Sequence, residues 1–338
     1  MKACPACKEE QEDEANFCGA CGEPMTGQAA EQQKATPAAP GTCGNCRAGA
    51  DEIDEDGFCK RCGFDRKHEG RNHFEVIIDQ AIAGVSDRGI RHHQNEDFFA
   101  IGKAKLPEAA LALVVCDGVS QSQNPQDGSA LAAQTARDYI IAALEKGYES
   151  PATTITEALV KAQEAICTVP FNPAAKNEKG DFIDPAQCTI VAALAHNKKV
   201  TIGWLGDSRA YWLTNTTCVQ ISQDHSWFNE VVAAGEMTAE EAGKDSRAHS
   251  ITRSLGAAAD GTNPGVEPSF RTLNLTEKGL LLVVSDGFWN YADSESAVLN
   301  LVKAQPAGLD SLNLARRLVN FAIEKGGKDN ISVVAARF

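Results

Sequence analysis

The chain has 338 residues and a formal net charge of −14, long enough for one large domain plus a small one. The negative balance argues against a general binder of nucleic acid or anionic membrane, because both reward Lys and Arg. No apolar run approaches the roughly 18 residues of a membrane span, and the opening MKACPACKEEQEDE has no apolar signal core, so a cytoplasmic location with reduced thiols is expected.

In chain order the cysteines come first. Cys4-x-x-Cys7 is followed by Cys18-x-x-Cys21, and Cys43-x-x-Cys46 by Cys59-x-x-Cys62. Each CxxC sets two thiolates on one side of a tight turn, and two such turns complete a tetrahedral zinc site. Gly22 and Gly63 follow the second pair of each set, where a knuckle turn favours a residue that accepts positive φ. The spacing predicts two structural Zn2+ sites in ribbons at residues 1–24 and 42–67. Between them residues 25–41, rich in Ala, Gln, Thr and Pro, read as a flexible linker. Residues 1–72 carry more Asp and Glu than Lys and Arg. The ribbons are therefore expected to dock a protein partner, not a nucleic acid. Cys116, Cys167, Cys188 and Cys218 are scattered and read as buried small hydrophobes.

A large domain is predicted over residues 74–338. Its predicted strands are Phe74–Gly84, Phe98–Ile101, Leu111–Cys116, Thr189–Ala195, Val200–Leu205, Arg209–Leu213, Cys218–Ile221, Phe270–Leu275, Leu280–Ser285 and Ile331–Phe338. Its predicted helices are Gly128–Glu145, Pro151–Cys167, His225–Gly235, Ser294–Lys303 and Leu309–Glu324. In the first helix Leu131, Thr135, Tyr139 and Ile140–Ala143 fall on one face. Antiparallel strands with paired helices point to a layered α+β fold.

Within this domain LALVVCDG at 111–118 returns as LLLVVSDG at 280–287. A buried strand ending in Asp-Gly delivers a carboxylate at the sheet's edge, on a turn where Gly tolerates unusual backbone angles. Two with matching flanks suggest that Asp117 and Asp286 aim at one place, where neighbouring carboxylates need a cation or shared protons. A hard divalent ion such as Mg2+ or Mn2+ is the simplest occupant. Asp97, Asp207 and Asp329 also stand at predicted strand ends or tight turns.

Ser86-Asp87-Arg88-Gly89, Asn95-Glu96-Asp97, Val115-Cys116-Asp117-Gly118 and Gly206-Asp207-Ser208-Arg209-Ala210-Tyr211 occur in that order. Gln223-Asp224-His225-Ser226, Ile251-Thr252-Arg253-Ser254-Leu255-Gly256, Ser285-Asp286-Gly287 and Asp329-Asn330-Ile331-Ser332 come after them. This series resembles the metal-dependent protein phosphatases of the 2C type, over about residues 76–338. The resemblance implies a four-layer αββα sandwich, two antiparallel sheets flanked by helices, preceded here by the two ribbons. It implies a serine/threonine phosphatase that hydrolyses phosphorylated proteins with a metal-activated water and no covalent intermediate. Asp97, Asp117, Asp286 and Asp329 would hold two Mn2+ or Mg2+ ions, with Asp117 bridging and the Gly118 carbonyl as a further ligand. Asp207 would serve a weaker third ion, and Glu96 would act through a bound water. The alternative is a catalytically weak or dead relative that only binds phosphoproteins; such relatives lose metal carboxylates, and these are kept.

Three positions depart from the family pattern. His92 stands where many relatives carry the Arg that grips the phosphate, and the neighbouring Arg91 is the expected substitute. The segment after the first Asp-Gly, Val119 to Gly128, is longer and more polar, which predicts an altered rim. Val119 stands where some relatives place a His general acid. His225 is read as opening a helix, with Asp224 or Ser226 near its cap, and Trp204, Trp212, Trp227 and Trp289 as packing residues.

Overall fold

The computed structural model describes residues 70–338 apart from 107, 108, 249 and 264, together with residues 2, 3, 10, 11, 49 and 52. The chain divides into two units, one of residues 1–69 with 306–308, the other of 70–305 with 309–338. In the first, β1 (Lys2–Ala3) pairs antiparallel with β2 (Glu10–Gln11). The predicted zinc ligands Cys4, Cys7, Cys18, Cys21, Cys43, Cys46, Cys59 and Cys62 lie outside the described residues, as does the linker.

The second unit is built on two antiparallel sheets. The predicted strand at Phe74–Gly84 is in fact a hairpin, β3 (His73–Asp79) and β4 (Ile82–Asp87). Asp79 Oδ1 accepts the Ala81 N–H at 2.9 Å, and that side-chain turn interrupts the apolar run. β5 (Phe98–Lys103) and β6 (Leu111–Cys116) come next, then β7 (Ile190–His196), β8 (Lys199–Leu205), β9 (Arg209–Leu213) and β10 (Cys218–Gln220). The last three are β11 (Ser269–Asn274), β12 (Leu280–Val284) and β13 (Ile331–Arg337). One sheet runs β10-β9-β12-β13-β4-β3, the other β11-β8-β7-β6-β5.

Helices cover both outer faces. α1 (Pro125–Lys146) and α2 (Pro151–Ile166) lie against the five-stranded sheet. α6 (Glu295–Lys303) and α7 (Ser311–Glu324) lie against the six-stranded one. The short helices α3 (Trp227–Ala233), α4 (Ala239–Ala242) and α5 (Asp286–Trp289) sit in connections. The expected four-layer sandwich is therefore present in this unit. α1 begins three residues earlier than its sequence suggests, because Pro125 suits a first helical position. Its buried stripe is Ala132, Ala133, Ala136, Ile140 and Leu144, while Leu131 and Tyr139 are only partly buried. Small residues let the helix lie close on the sheet, so the bulky residues mark its margins rather than its centre.

Both repeat strands are buried on two faces, which is why they read as continuous apolar runs. Alternation survives inside them. Ala112, Val114 and Cys116 of β6 join the core under α1 and α2, while Leu111, Leu113 and Val115 join the core between the sheets. Leu280, Leu282 and Val284 of β12 likewise face α6 and α7, while Leu281 and Val283 face the other sheet. Cys116, Cys188 and Cys218 are buried as expected. Cys167 is exposed, because it caps the C-terminus of α2 rather than packing beneath it.

Candidate metal centre

Antiparallel pairing gathers the acids at one end. Phe98 pairs with Cys116, so the start of β5 lies beside the end of β6, and Asp97 comes next to Asp117. Val284 pairs with Val333, so Asp329, just before β13, lies near Asp286. Leu205 pairs with Ile190, which brings the turn after β8, with Asp207, to the same edge as Thr189. Five carboxylates widely spaced in sequence thus reach one rim through register alone.

A buried polar network fixes them. The Ser285 hydroxyl donates to Asp97 Oδ2 at 2.6 Å and accepts the Ser332 N–H at 2.9 Å, joining the two sheets. Asn330 Oδ1 accepts the Glu96 N–H at 2.7 Å, and its Nδ2 donates to the Arg88 and Gln94 carbonyls. Ser86 links Ser332 and Asn95, each at 2.8 Å. On the other side the Thr189 hydroxyl meets the Asp117 N–H at 3.2 Å and Ser208 at 2.7 Å, and the Thr189 N–H donates to the Asp117 carbonyl. Asp207 is held through its carbonyl, which accepts from the Trp289 indole at 2.9 Å.

The electrostatics are those of crowded, buried acids. Burial first, then the nearness of Asp329, raises the Asp97 carboxyl to about 7, against the pull of the Ser285 hydrogen bond. Burial and then Asp97, Asp286 and Asp329 push Asp117 well above the carboxylate range. Asp286 is displaced the same way by burial, Asp329 and Asp207. Asp207 rises to about 6 through burial and Asp224. Asp97 Oδ1 is buried with no hydrogen-bond partner, an acceptor that a cation would satisfy. Among the described residues no three His, Cys, Asp or Glu side chains stand close enough to hold an ion by themselves. A hard ion here would complete its shell with water and backbone oxygen, as Mg2+ and Mn2+ commonly do.

Glu96 is nearly buried at the rim; Ser120 donates to its Oε2 and Gln94 to its Oε1 at 3.3 Å. Gly118 is buried against the Glu96 carbonyl. His92 Nε2 lies 3.2 Å from Asp329 Oδ1, whereas Arg91 is exposed and its backbone N–H donates to the Gly327 carbonyl. Arg91 is thus not the basic residue that the structure brings to the carboxylates; consecutive residues diverge, and His92 takes the inward direction. Ser226, as expected, caps α3. His225 does not lie in that helix. Its Nδ1 accepts the Gly206 N–H at 3.2 Å and its Nε2 faces Ser269 at 2.9 Å, and burial, then Arg253, lowers its pKa to about 4. A neutral imidazole therefore supports the turn that carries Asp207. Trp289 stacks on the Arg209 guanidinium at 3.6 Å, and Arg209 grips Asp224 through two nitrogens, at 2.9 and 2.7 Å.

Three contributors carry no signal in the sequence: Thr189, Ser129 and Arg71. The Arg71 guanidinium donates to the Asp97 carbonyl at 3.1 Å and to Ser129 at 2.8 Å, and sits 5.0 Å over the Phe98 ring. Burial lowers its pKa to about 10. Asn72 Oδ1 accepts the Asn95 N–H at 3.1 Å. Residues 71–72 thus clamp the strand entry that carries Asp97. An isolated Arg in a polar stretch has no periodicity, so only the fold could reveal it.

Comparison with known proteins places this arrangement. The model of the family "Protein phosphatase 2C" matches residues 88–321. A serine/threonine phosphatase of Listeria welshimeri is 25% identical over 251 residues, 74% of this chain and 92% of the relative. The structure of the serine/threonine phosphatase Stp1 of Staphylococcus aureus superposes with a TM-score of 0.61 at 23% identity, over 79% of this chain and 98% of that one. The catalytic domain of the serine/threonine phosphatase PstP, solved with two manganese ions, gives a TM-score of 0.54 at 26% identity, over 76% of this chain and 97% of that one. With the family model spanning most of the large unit, the chain belongs to the protein phosphatase 2C family.

Proposed function

We propose that Asp97, Asp117, Asp286 and Asp329 hold two Mn2+ or Mg2+ ions, Asp117 between them, and that this centre dephosphorylates phosphoserine and phosphothreonine in proteins. The chain is a serine/threonine protein phosphatase of the 2C type; the residue roles are our assignment. The observation that carries it is the convergence of these carboxylates at one rim, where burial and mutual repulsion hold Asp97, Asp117 and Asp286 above the ordinary carboxylate range. Among the described residues His92 alone forms an ion pair with any of the four. The PstP structure with two manganese ions supports the same reading by likeness.

When bound, such ions neutralise the phosphomonoester dianion and acidify a water into a nucleophile. The chain's own residues hold and orient. Ser285 and Asn330 fix Asp97 and the Glu96 backbone across the two sheets. Glu96, aimed by Ser120 and Gln94, would position a water at the rim. Asp207 would serve a weaker third ion, steadied by Trp289 and the His225-supported turn. His92, beside Asp329, would meet the phosphate from the position where relatives carry Arg. With Val119 after the Asp-Gly, no side chain there can protonate the departing Ser or Thr oxygen, and that proton would come from water.

We further infer that the eight ribbon cysteines hold two structural Zn2+ ions and that the ribbons dock a protein partner. The CxxC spacing supports this, as does the β1–β2 pair flanking the segment that carries Cys4 and Cys7. The proposed substrates are cytoplasmic phosphoproteins. No helix among the described residues is long and apolar enough to cross a membrane.

The test is hydrolysis of p-nitrophenyl phosphate and a phosphothreonine peptide by the whole chain. Activity should vanish with EDTA and return with Mn2+. Metal analysis after reducing purification should also find about two zinc ions per chain. Undiminished turnover in EDTA would remove the two-ion reading.

A further inference from the structure

A cleft of about 1000 Å3 in the catalytic unit lies beside the carboxylates rather than over them. Its floor is Val119 to Gln123, the segment that continues directly from Asp117-Gly118, and Ser120 on that floor is bonded to Glu96. One wall is Ser250 to Ser254. The Arg253 carbonyl there packs near Gly206, next to Asp207. The opposite wall comes from the connection between α2 and β7. The cleft therefore opens from the metal centre, and its volume exceeds what a phosphate group needs.

That opposite wall is firmly built. Residues 175–183 form a small hairpin, with a bridge between Lys176 and Phe182 and the Ile183 N–H donating to the Ala175 carbonyl at 3.0 Å. Asn177 Oδ1 closes its turn on the Lys179 and Asp181 N–H groups. Gln123 from the floor clasps it. Its Nε2 donates to the Asn172 and Ile183 carbonyls, its Oε1 accepts the Asn172 N–H at 2.8 Å, and its backbone N–H donates to the Asp184 carbonyl. Asn124 Nδ2 adds a bond to the Pro170 carbonyl at 2.9 Å. The longer polar rim segment thus acts as the fastener for this wall.

On this fastened wall Phe182 is 57% exposed, its ring beneath Lys176 at 4.4 Å. Val119, Ile183 and Ile251 add apolar surface within the same cleft, and the charged side chains there, Glu178, Lys179, Asp184 and Arg253, balance in sign. A large aromatic side chain held toward solvent on a rigid wall beside a reaction centre marks a recognition surface. The mixed charge gives no advantage to a strongly acidic or basic segment.

We propose that this cleft binds the polypeptide flanking the phosphorylated residue, and that Phe182 selects substrates with an apolar side chain within a few residues of the phosphosite. The inference rests on the phosphatase reading of the adjoining centre. It assigns the α2–β7 connection a role in substrate choice and none in the hydrolytic step.

The experiment uses the full chain with Mn2+ and two phosphothreonine peptides. One carries Leu at the positions flanking the phosphosite, the other Ser. p-Nitrophenyl phosphate, which has no flanking chain, reports the hydrolytic centre alone. The wild type should prefer the Leu peptide by about tenfold in kcat/KM, mainly through KM. Phe182→Ala should erase most of that preference and leave p-nitrophenyl phosphate turnover unchanged. Gln123→Ala, which unfastens the wall, should weaken the preference without touching the ring. Equal use of the two peptides by the wild type, or a preference that survives Phe182→Ala, would overturn the proposal. So would a Phe182→Ala enzyme that loses p-nitrophenyl phosphate turnover in equal measure. An inactive wild type on p-nitrophenyl phosphate would instead indict the phosphatase reading.

Discussion

β6 and β12 carry nearly the same sequence, lie in different sheets, and end in the same Asp-Gly, yet the chain leaves the two ends differently. After β6 the chain stays extended, and Gly118 bridges to Cys188 while Thr189 holds the Asp117 backbone from both sides. After β12 the chain turns at once into α5, with Asp286 in its first turn. Neither glycine has a left-handed φ, contrary to the expectation that the turn needs unusual angles. Both are required by crowding. A Cβ on Gly118 would come 2.7 Å from the Glu96 carbonyl oxygen, and one on Gly287 would come closer still to that of Asn330. The repeat therefore encodes a carboxylate followed by a point of close backbone approach, and the two sheets supply different neighbours for it.

The widest separation between the two ends should come from their carboxylates. Asp117→Asn is expected to lower kcat on p-nitrophenyl phosphate by about 100-fold or more, since several kcal/mol of charge stabilisation depend on the bridging group. Asp286→Asn should cost less and be partly rescued by raised Mn2+. Steady-state kinetics across a Mn2+ titration decides; equal, equally rescuable losses would strip Asp117 of its bridging role.

Next in size are the glycines. Gly287→Ala forces the shorter contact, against backbone that cannot swing away, and should destabilise by about 3 kcal/mol or more; Gly118→Ala should cost about 1–3 kcal/mol. Urea denaturation of both variants measures this. The reverse order would mean that the α5 entry yields more readily than the bridge to Cys188.

A smaller effect comes from the raised acids. Asp97 near 7 and Asp207 near 6 stay protonated in the folded, metal-free chain at pH values where the unfolded chain has already ionised them. Below about pH 4 both states are protonated and these groups contribute no difference. Between about pH 4 and the folded values near 6 and 7 the unfolded chain has given up these protons while the folded chain keeps them, so metal-free stability falls across that window and levels off above about 7. Thermal melts in EDTA should therefore show a lower Tm at pH 8 than at pH 5.5 from this source. Added Mn2+ should raise Tm more at pH 8. A Tm gain from Mn2+ that is larger at pH 5.5 would contradict the placement of these acids around ions.

Much of the fold and the site was legible in the sequence because the strands are apolar runs and the acids sit at their ends. The motif order carried the sandwich and the four carboxylates. The inward direction of His92 was not legible, since adjacent Arg and His in a turn have no periodicity to tell them apart. Thr189 and Ser129 are small hydroxyl residues whose roles exist only once the fold brings Asp117, Glu96 and Arg71 to them. Arg71 lies just ahead of β3, where nothing local distinguishes it from a solvated residue of a polar stretch. A catalytic unit cut to begin at Arg71 would put the clamp on Asp97 at a fraying end; a start several residues earlier preserves it.

The most direct test of the convergence is to locate the ions. Crystals soaked in Mn2+ and measured at the manganese absorption edge should show two anomalous peaks at the shared rim, both touching Asp117, with Asp97, Asp286 and Asp329 completing them. A single peak that leaves Asp117 or Asp286 unbound, or no peak at that rim, would contradict the claim that the two Asp-Gly strands serve one centre.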